Sequence, residues 1–234
     1  GALRIGALPV LTNPLLPGRD LGRIVSDSRA RVVVVSHERA GSVAEILDGA
    51  NEVSHVVSTG AESLVSGPTW NQFCEETSNA RPYTTWRDSP GFWLCTSGTT
   101  GMPKLAMHTH GDIVDTVETY AQNVLAVHAQ DRFFSVGPMF HAYGLGNSLT
   151  FPLAVGATSI LEPTRPPTPA LVADIVATEK PTLFFCIPTF YAALTNSELK
   201  DDAFESVRLA VSAAEALPAE TFTRFKERFG VTIL

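Results

Sequence analysis

Nine consecutive residues, Thr96 to Lys104 (TSGTTGMPK), combine four hydroxyls, two glycines and a lysine. Thr96, Ser97, Thr99 and Thr100 offer neutral donors, while Gly98 and Gly101 let backbone amides approach an anion with no Cβ in the way. Pro103 stiffens the exit from the loop, and the Lys104 ammonium can sit near the charge that the neutral donors hold. A polyphosphate is the natural guest. Composition alone equally suits a solvated Ser/Thr/Gly turn, and the order is not that of a Walker loop, since GxxxxGK[ST] is matched nowhere.

Three other groups could do chemistry. His141 follows a strand-like segment ending near Val136, on the side where open α/β sheets place ligands, and Tyr143, Gly144 and Gly146 follow it, so it is expected in a glycine-rich loop. Gly144 to Leu149 begins as GxG, but Leu149 stands where a dinucleotide fingerprint needs its third glycine. His108 and His110 flank Thr109, and two histidines alone do not define a metal site, so none is expected. Ser212 to Glu215, read on its residues alone, is an ordinary strand-to-helix turn.

These groups sit in a chain whose short apolar runs alternate with helix-period segments. Ala7 to Leu11, Arg31 to Ser36 and Val53 to Val57 read as strands, and Gly18 to Ser28 and Glu38 to Leu47 as helices. After an irregular stretch from Ser58 to Ser89, strands are expected near Phe92 to Thr96, Arg132 to Val136, Thr158 to Leu161, Thr182 to Cys186, Val207 to Ser212 and Val231 to Leu234, with helices between them. The pattern predicts an α/β fold of layered, mostly parallel sheets with helices on both faces. One helix is expected after Thr109, with Ile113, Val114, Val117, Tyr120, Ala121, Val124 and Leu125 on a buried face. Another should have Pro218 in its first turn, carry Phe222, Phe225 and Phe229 on one face, and stop at Gly230. Pro163 to Pro169 reads as a rigid turn before a helix.

The 234 residues are 44% hydrophobic, enough for a substantial core, and the net charge of -7 comes without a basic cluster, which argues against a nucleic-acid partner. Cys74, Cys95 and Cys186 are odd in number and widely spaced, which suits a reducing, cytoplasmic setting. No apolar run is long enough to span a membrane and no signal-peptide pattern opens the chain, so no membrane partner is expected.

In full, TSGTTGMPK resembles the phosphate loop of the acyl-adenylate-forming enzymes, and the resemblance extends through both flanks over nearly the whole chain. Within that family, Pro138 to Thr158 (PMFHAYGLGNSLTFPLAVGAT) and Ser212 to Pro218 (SAAEALP) are similar to segments of benzoate-type aryl-CoA ligases. The resemblance implies ATP-dependent activation of a small carboxylic acid, with Mg2+ and coenzyme A taking part. It implies catalytic roles for Thr96, Lys104 and His141. Nucleotide would bind at Thr96, Ser97, Gly98, Thr99, Thr100, Gly101, Lys104, Ser212, Ala213, Ala214 and Glu215, the last four along adenine. The acid would lie against His141, Ala142, Tyr143 and Gly144, with the glycine leaving room for a flat ring.

The same resemblance divides the chain into a partial α/β lobe, residues 1–88, and a region carrying the phosphate loop and acyl pocket, residues 89–234, of one N-terminal domain, with the family's C-terminal domain absent. A homodimer of the full-length parent is a further expectation. The family's magnesium-holding threonine–glutamate pair, ribose-binding aspartate and adenylation lysine have no counterpart here, and both ends look cut, so the 234-residue polypeptide is expected to give no ATP–pyrophosphate exchange by itself. Measurable exchange would refute that. The alternatives are a noncatalytic nucleotide-binding relative, a fatty-acyl-CoA synthetase or peptide-synthetase adenylation domain, and a phosphotransferase using the same loop.

Overall fold

A computed structural model describes residues 1–60, 67–75, 81–96, 103–164 and 166–234. The chain divides into two units, Gly1–Gly111 and Asp112–Leu234.

In the first unit, strand β1 (Val10–Leu11) leads to helix α1 (Gly18–Asp27), β2 (Val32–Ser36), α2 (Val43–Leu47), β3 (His55–Thr59), α3 (Trp70–Glu75), β4 (Pro90–Thr96) and β5 (Lys104–Thr109). β2 and β3 pair in parallel over five residues, and the valine run of β2 is the β-branched sequence such a pair favours. α1 packs on α2 where Gly22 leaves no Cβ, since an added one would press on the backbone carbonyls of Glu45 and Ile46. The helix expected over Glu38 to Leu47 is a 3-10 turn, His37–Ser42, followed by α2. A second sheet has the order β1-β4-β5, in which β1 is parallel and β5 antiparallel to β4.

The second unit begins inside helix α4 (His110–Thr116), which continues as a π-helical segment, Val117–Gln122. β6 (Arg132–Ser135), α5 (Ala142–Leu145), a π-helical segment Gly146–Thr150, α6 (Phe151–Val155), β7 (Thr158–Ile160), α7 (Pro169–Glu179), β8 (Leu183–Cys186), α8 (Pro188–Thr195), β9 (Leu209–Ser212) and α9 (Ala219–Phe229) follow. Four parallel strands lie in the order β7-β6-β8-β9. Val231 to Leu234, expected as a strand, pairs in parallel with β9 through a single bridge at Ile233. Phe134, Phe184, Tyr191, Phe204, Phe225 and Phe229 form the core on one face of this sheet; Val117, Leu125, Phe133, Phe151, Phe185 and Val211 form it on the other.

The helix after Thr109 differs from its expected amphipathic form. The wider i→i+5 turn of its π segment re-phases the buried face, so Val117, Ala121 and Leu125 are buried while Val114 and Val124 are exposed. α9 agrees with its sequence: Pro218 precedes it, Phe225 and Phe229 are buried, and Gly230 ends it at φ 71°. α7 starts at Pro169, with the Thr168 hydroxyl accepting from the Leu171 amide.

Candidate functional site

The first unit presents the mouth of a hairpin. Thr96 and Lys104 are opposite partners in the last pair of β4 and β5, which puts their Cβ atoms about 5 Å apart. Both are exposed. A hydroxyl and an ammonium thus flank the residues between the two strands, an arrangement suited to an anion. Ser97, Gly98, Thr99, Thr100 and Gly101 lie outside the described residues. β1 braces the hairpin from the other side through Val10 and Leu11, opposite Trp93 and Leu94. His108 stacks on Phe92 with ring centroids 4.9 Å apart, so it belongs to the hairpin wall.

In the second unit the strand order reverses at β6, whose neighbours are β7 and β8. α5, leaving β6, packs on the face carrying Phe133 and Phe185, and α8, leaving β8, packs on the face carrying Phe184 and Phe204. Two connections departing on opposite faces make the carboxyl ends of β6 and β8 the switch point of the sheet, the usual ligand position in an open parallel sheet.

Two tyrosines reach the carboxyl end of β9 from those two helices. Tyr143 Oη donates to the Val211 carbonyl at 2.9 Å and approaches the Cys186 carbonyl at 3.2 Å. Tyr191 Oη donates to the same Val211 carbonyl at 2.9 Å. Burial pushes both phenols well above their usual range, with the neighbouring Cys186 adding to it, so both remain neutral donors. Burial likewise raises the Cys186 thiol far from nucleophilic use.

Two expectations about the acid-side residues change. His141 lies in the loop after β6 as expected, exposed and 4.5 Å from the Phe140 ring, but the glycine-rich run behind it is not a loop: Ala142, Tyr143 and Gly144 are helical. Gly144 leaves its room to the chain itself, because a Cβ there would collide with the Pro138 and Gly137 carbonyls. Close approach of helix and loop requires that glycine. Tyr143 is half-buried, its hydroxyl committed to main-chain carbonyls, so its ring alone is left to wall a cavity.

Ser212 is the last residue of β9, and its Oγ is buried without a partner. Ala213 is half-buried, and Ala214 and Glu215 are exposed. Ala214 has φ 75°, a left-handed conformation that an alanine adopts at a cost of about 1–2 kcal/mol. Sequence reasoning marked none of Tyr191, Ala214's backbone or the Val211 carbonyl that both tyrosines share. Tyr191 reads only as one more apolar residue in an apolar helix, and no sequence signal identifies a shared acceptor.

A cleft of about 300 Å³ opens nearby at the carboxyl ends of β6 and β7, lined by Ser135, Met139, Ser148, Ile160, Leu161 and Glu162 among others. None of His141 to Gly144 lines it.

The model of the AMP-binding enzyme family matches residues 1–234. The benzoate–CoA ligase of Thauera aromatica is 39% identical over all of this chain, which covers 44% of that enzyme. The 4-hydroxybenzoate–CoA/benzoate–CoA ligase of Rhodopseudomonas palustris is 35% identical, again over all of this chain and 43% of its own length. A crystal structure of the anthranilate CoA ligase AuaEII in complex with anthranoyl-AMP superposes with a TM-score of 0.94 at 32% identity, over 99% of this chain and 45% of that one. The chain therefore spans less than half the length of these three relatives.

Proposed function

The chain belongs to the AMP-binding enzyme family, and we propose that the whole protein activates an aromatic carboxylic acid as an acyl-adenylate and then transfers the acyl group to coenzyme A. The observation that carries this reading is the match of the full chain, at 39% identity, to an enzyme whose substrates are benzoate and coenzyme A by name.

The chemistry requires activation because a carboxylate would have to expel oxide, whereas a mixed anhydride with AMP expels a stabilised phosphate. The acid's oxygen attacks the α-phosphorus of ATP and pyrophosphate leaves; the thiol of coenzyme A then attacks the acyl carbon and AMP leaves. In this reading Thr96 and Lys104, exposed at the hairpin mouth, hold the β- and γ-phosphates and stabilise the charge that grows on pyrophosphate. Ser97, Gly98, Thr99, Thr100 and Gly101, between the two strands in sequence, contribute donors. The turn Ser212 to Glu215 receives adenine, its small residues admitting a planar base. His141, Ala142 and the ring of Tyr143 face the acid, beside Gly144. Magnesium, bound with the nucleotide phosphates, would add charge neutralisation.

The test is ATP–pyrophosphate exchange by the full-length protein over benzoate, hydroxybenzoates, 2-aminobenzoate and medium-chain aliphatic acids, followed by assay of the thioester with coenzyme A. Exchange with an aryl acid at least tenfold above any aliphatic acid, and an aryl-CoA product, is expected. Preference for an aliphatic acid, or no exchange with any acid, would refute the reading.

A further inference from the structure

We propose that Tyr143 and Tyr191 are positioning residues for the nucleotide: their hydroxyls, meeting at the Val211 carbonyl, hold the left-handed turn at Ala214 in its receiving form. The inference rests on the function proposed above and assigns Tyr143 a task separate from the acid cavity it was expected to wall.

Three observations converge. Val211 is the penultimate residue of β9, and its carbonyl accepts from both tyrosines at 2.9 Å, one on a helix packed against each face of the sheet. Tyr143 also reaches the Cys186 carbonyl at the end of β8, and Tyr191 the Phe184 carbonyl within β8 at 3.3 Å, so each hydroxyl bridges β8 and β9. Three residues beyond Val211, Ala214 is held at φ 75°. A strained non-glycine residue persists only where its surroundings over-determine it, and such residues gather at ligand sites. The strand end leading into the turn is fixed from two sides, and the Ser212 amide is further tied to the Leu234 carbonyl at 2.9 Å.

Two consequences separate this role from simple packing. Tyr191 is fully buried in the core on the face opposite Tyr143, so its hydroxyl touches no substrate and acts only through the strand-end carbonyl it holds. The strain also belongs to the alanine side chain, so glycine at position 214 would adopt the same φ without cost and lessen the turn's dependence on the tyrosines.

The experiment compares the full-length protein with its Tyr143→Phe, Tyr191→Phe, Ala214→Gly and Tyr143→Phe/Ala214→Gly variants, measuring KM for ATP, KM for the acid and kcat in pyrophosphate exchange. Each Tyr→Phe change is expected to raise KM for ATP about tenfold, equivalent to about 1.4 kcal/mol. KM for the acid should move less than twofold, and adding Ala214→Gly should recover at least half of the Tyr143→Phe loss. An unchanged KM for ATP in Tyr191→Phe overturns the proposal. So does a Tyr143→Phe defect confined to the acid, or one that lowers thermal stability and is unaffected by Ala214→Gly. If the unsubstituted protein exchanges no pyrophosphate, the function itself fails and the inference with it.

Discussion

Replacing Asp131 with alanine is expected to destabilise the second unit by about 3 kcal/mol, at the lower end of the range for stripping one partner from a buried ion pair. Asp131 has no accessible surface, and its carboxylate is saturated: Oδ1 accepts from Arg208 Nε at 2.9 Å and Thr182 Oγ1 at 2.6 Å, and Oδ2 from Arg208 Nη2 at 2.7 Å and the His128 amide at 2.9 Å. These donors precede β6, β8 and β9, so the carboxylate clamps the amino ends of three strands. Arg208 also donates to the Leu125 and Ala126 carbonyls, extending the clamp to the chain beyond the π segment. The lower end of the range applies because the Arg208 side chain is 35% exposed and water would partly solvate it once its partner is gone.

The same carboxylate sets a pH dependence. Burial raises its pKa, but the hydrogen bonds from Arg208, Thr182 and His128 and the charge of Arg208 outweigh this and hold it below the usual carboxylate value. A depressed pKa means the stabilisation is complete above the unfolded-state value, about pH 4, and is lost as pH falls through the folded-state value. Asp131→Asn should therefore be less stable than the unsubstituted protein at pH 7, with the gap closing below about pH 4. Denaturant unfolding followed by circular dichroism reads this out; tryptophan emission does not, because Trp70, Trp86 and Trp93 all lie in the first unit. A gap that stays constant down to pH 3 would show that Asp131's charge is not the stabilising agent.

The second large effect is expected at Gly144. In Gly144→Ala the new methyl would meet backbone atoms of Pro138 and Gly137, which cannot swing aside as a flexible side chain would. α5 has to retreat from the loop after β6, at a cost of about 2–3 kcal/mol, the upper part of the overpacking range. Because Tyr143 is the adjacent residue, the retreat also pulls its hydroxyl from the Val211 carbonyl. Gly144→Ala should therefore raise KM for both ATP and the acid in the full-length protein, whereas Tyr143→Phe acts on ATP alone. Unfolding and exchange measurements on the two variants check the pair; an unperturbed acid KM in Gly144→Ala would sink this account of the glycine.

The parallel α/β character of the chain was legible because each layer leaves a local mark. The valines of β2, the LFFC run of β8, the proline before α9 and the glycine after it state strand, strand, start and stop within a few residues. Family membership was legible for a related reason, since TSGTTGMPK is an ordered chemical string that needs no tertiary partner to be recognised. β5 was not legible: KLAMHT is a strand because β4 lies beside it in antiparallel register, and nothing in its own composition requires that. The π segments were missed because a single re-phased turn alters which residues are buried without altering their identities.

By itself, then, the sequence determined most of the elements, their mostly parallel layering and the residue types at the hairpin mouth, because propensity, capping and hydrophobic period are properties of neighbours along the chain. Only the tertiary structure decided that Gly144 yields its space to Pro138, that Asp131 joins three strands, and that two tyrosines share the Val211 carbonyl. Each is a hydrogen bond or steric contact between groups brought together by folding, with directions set by backbone positions that no local pattern encodes.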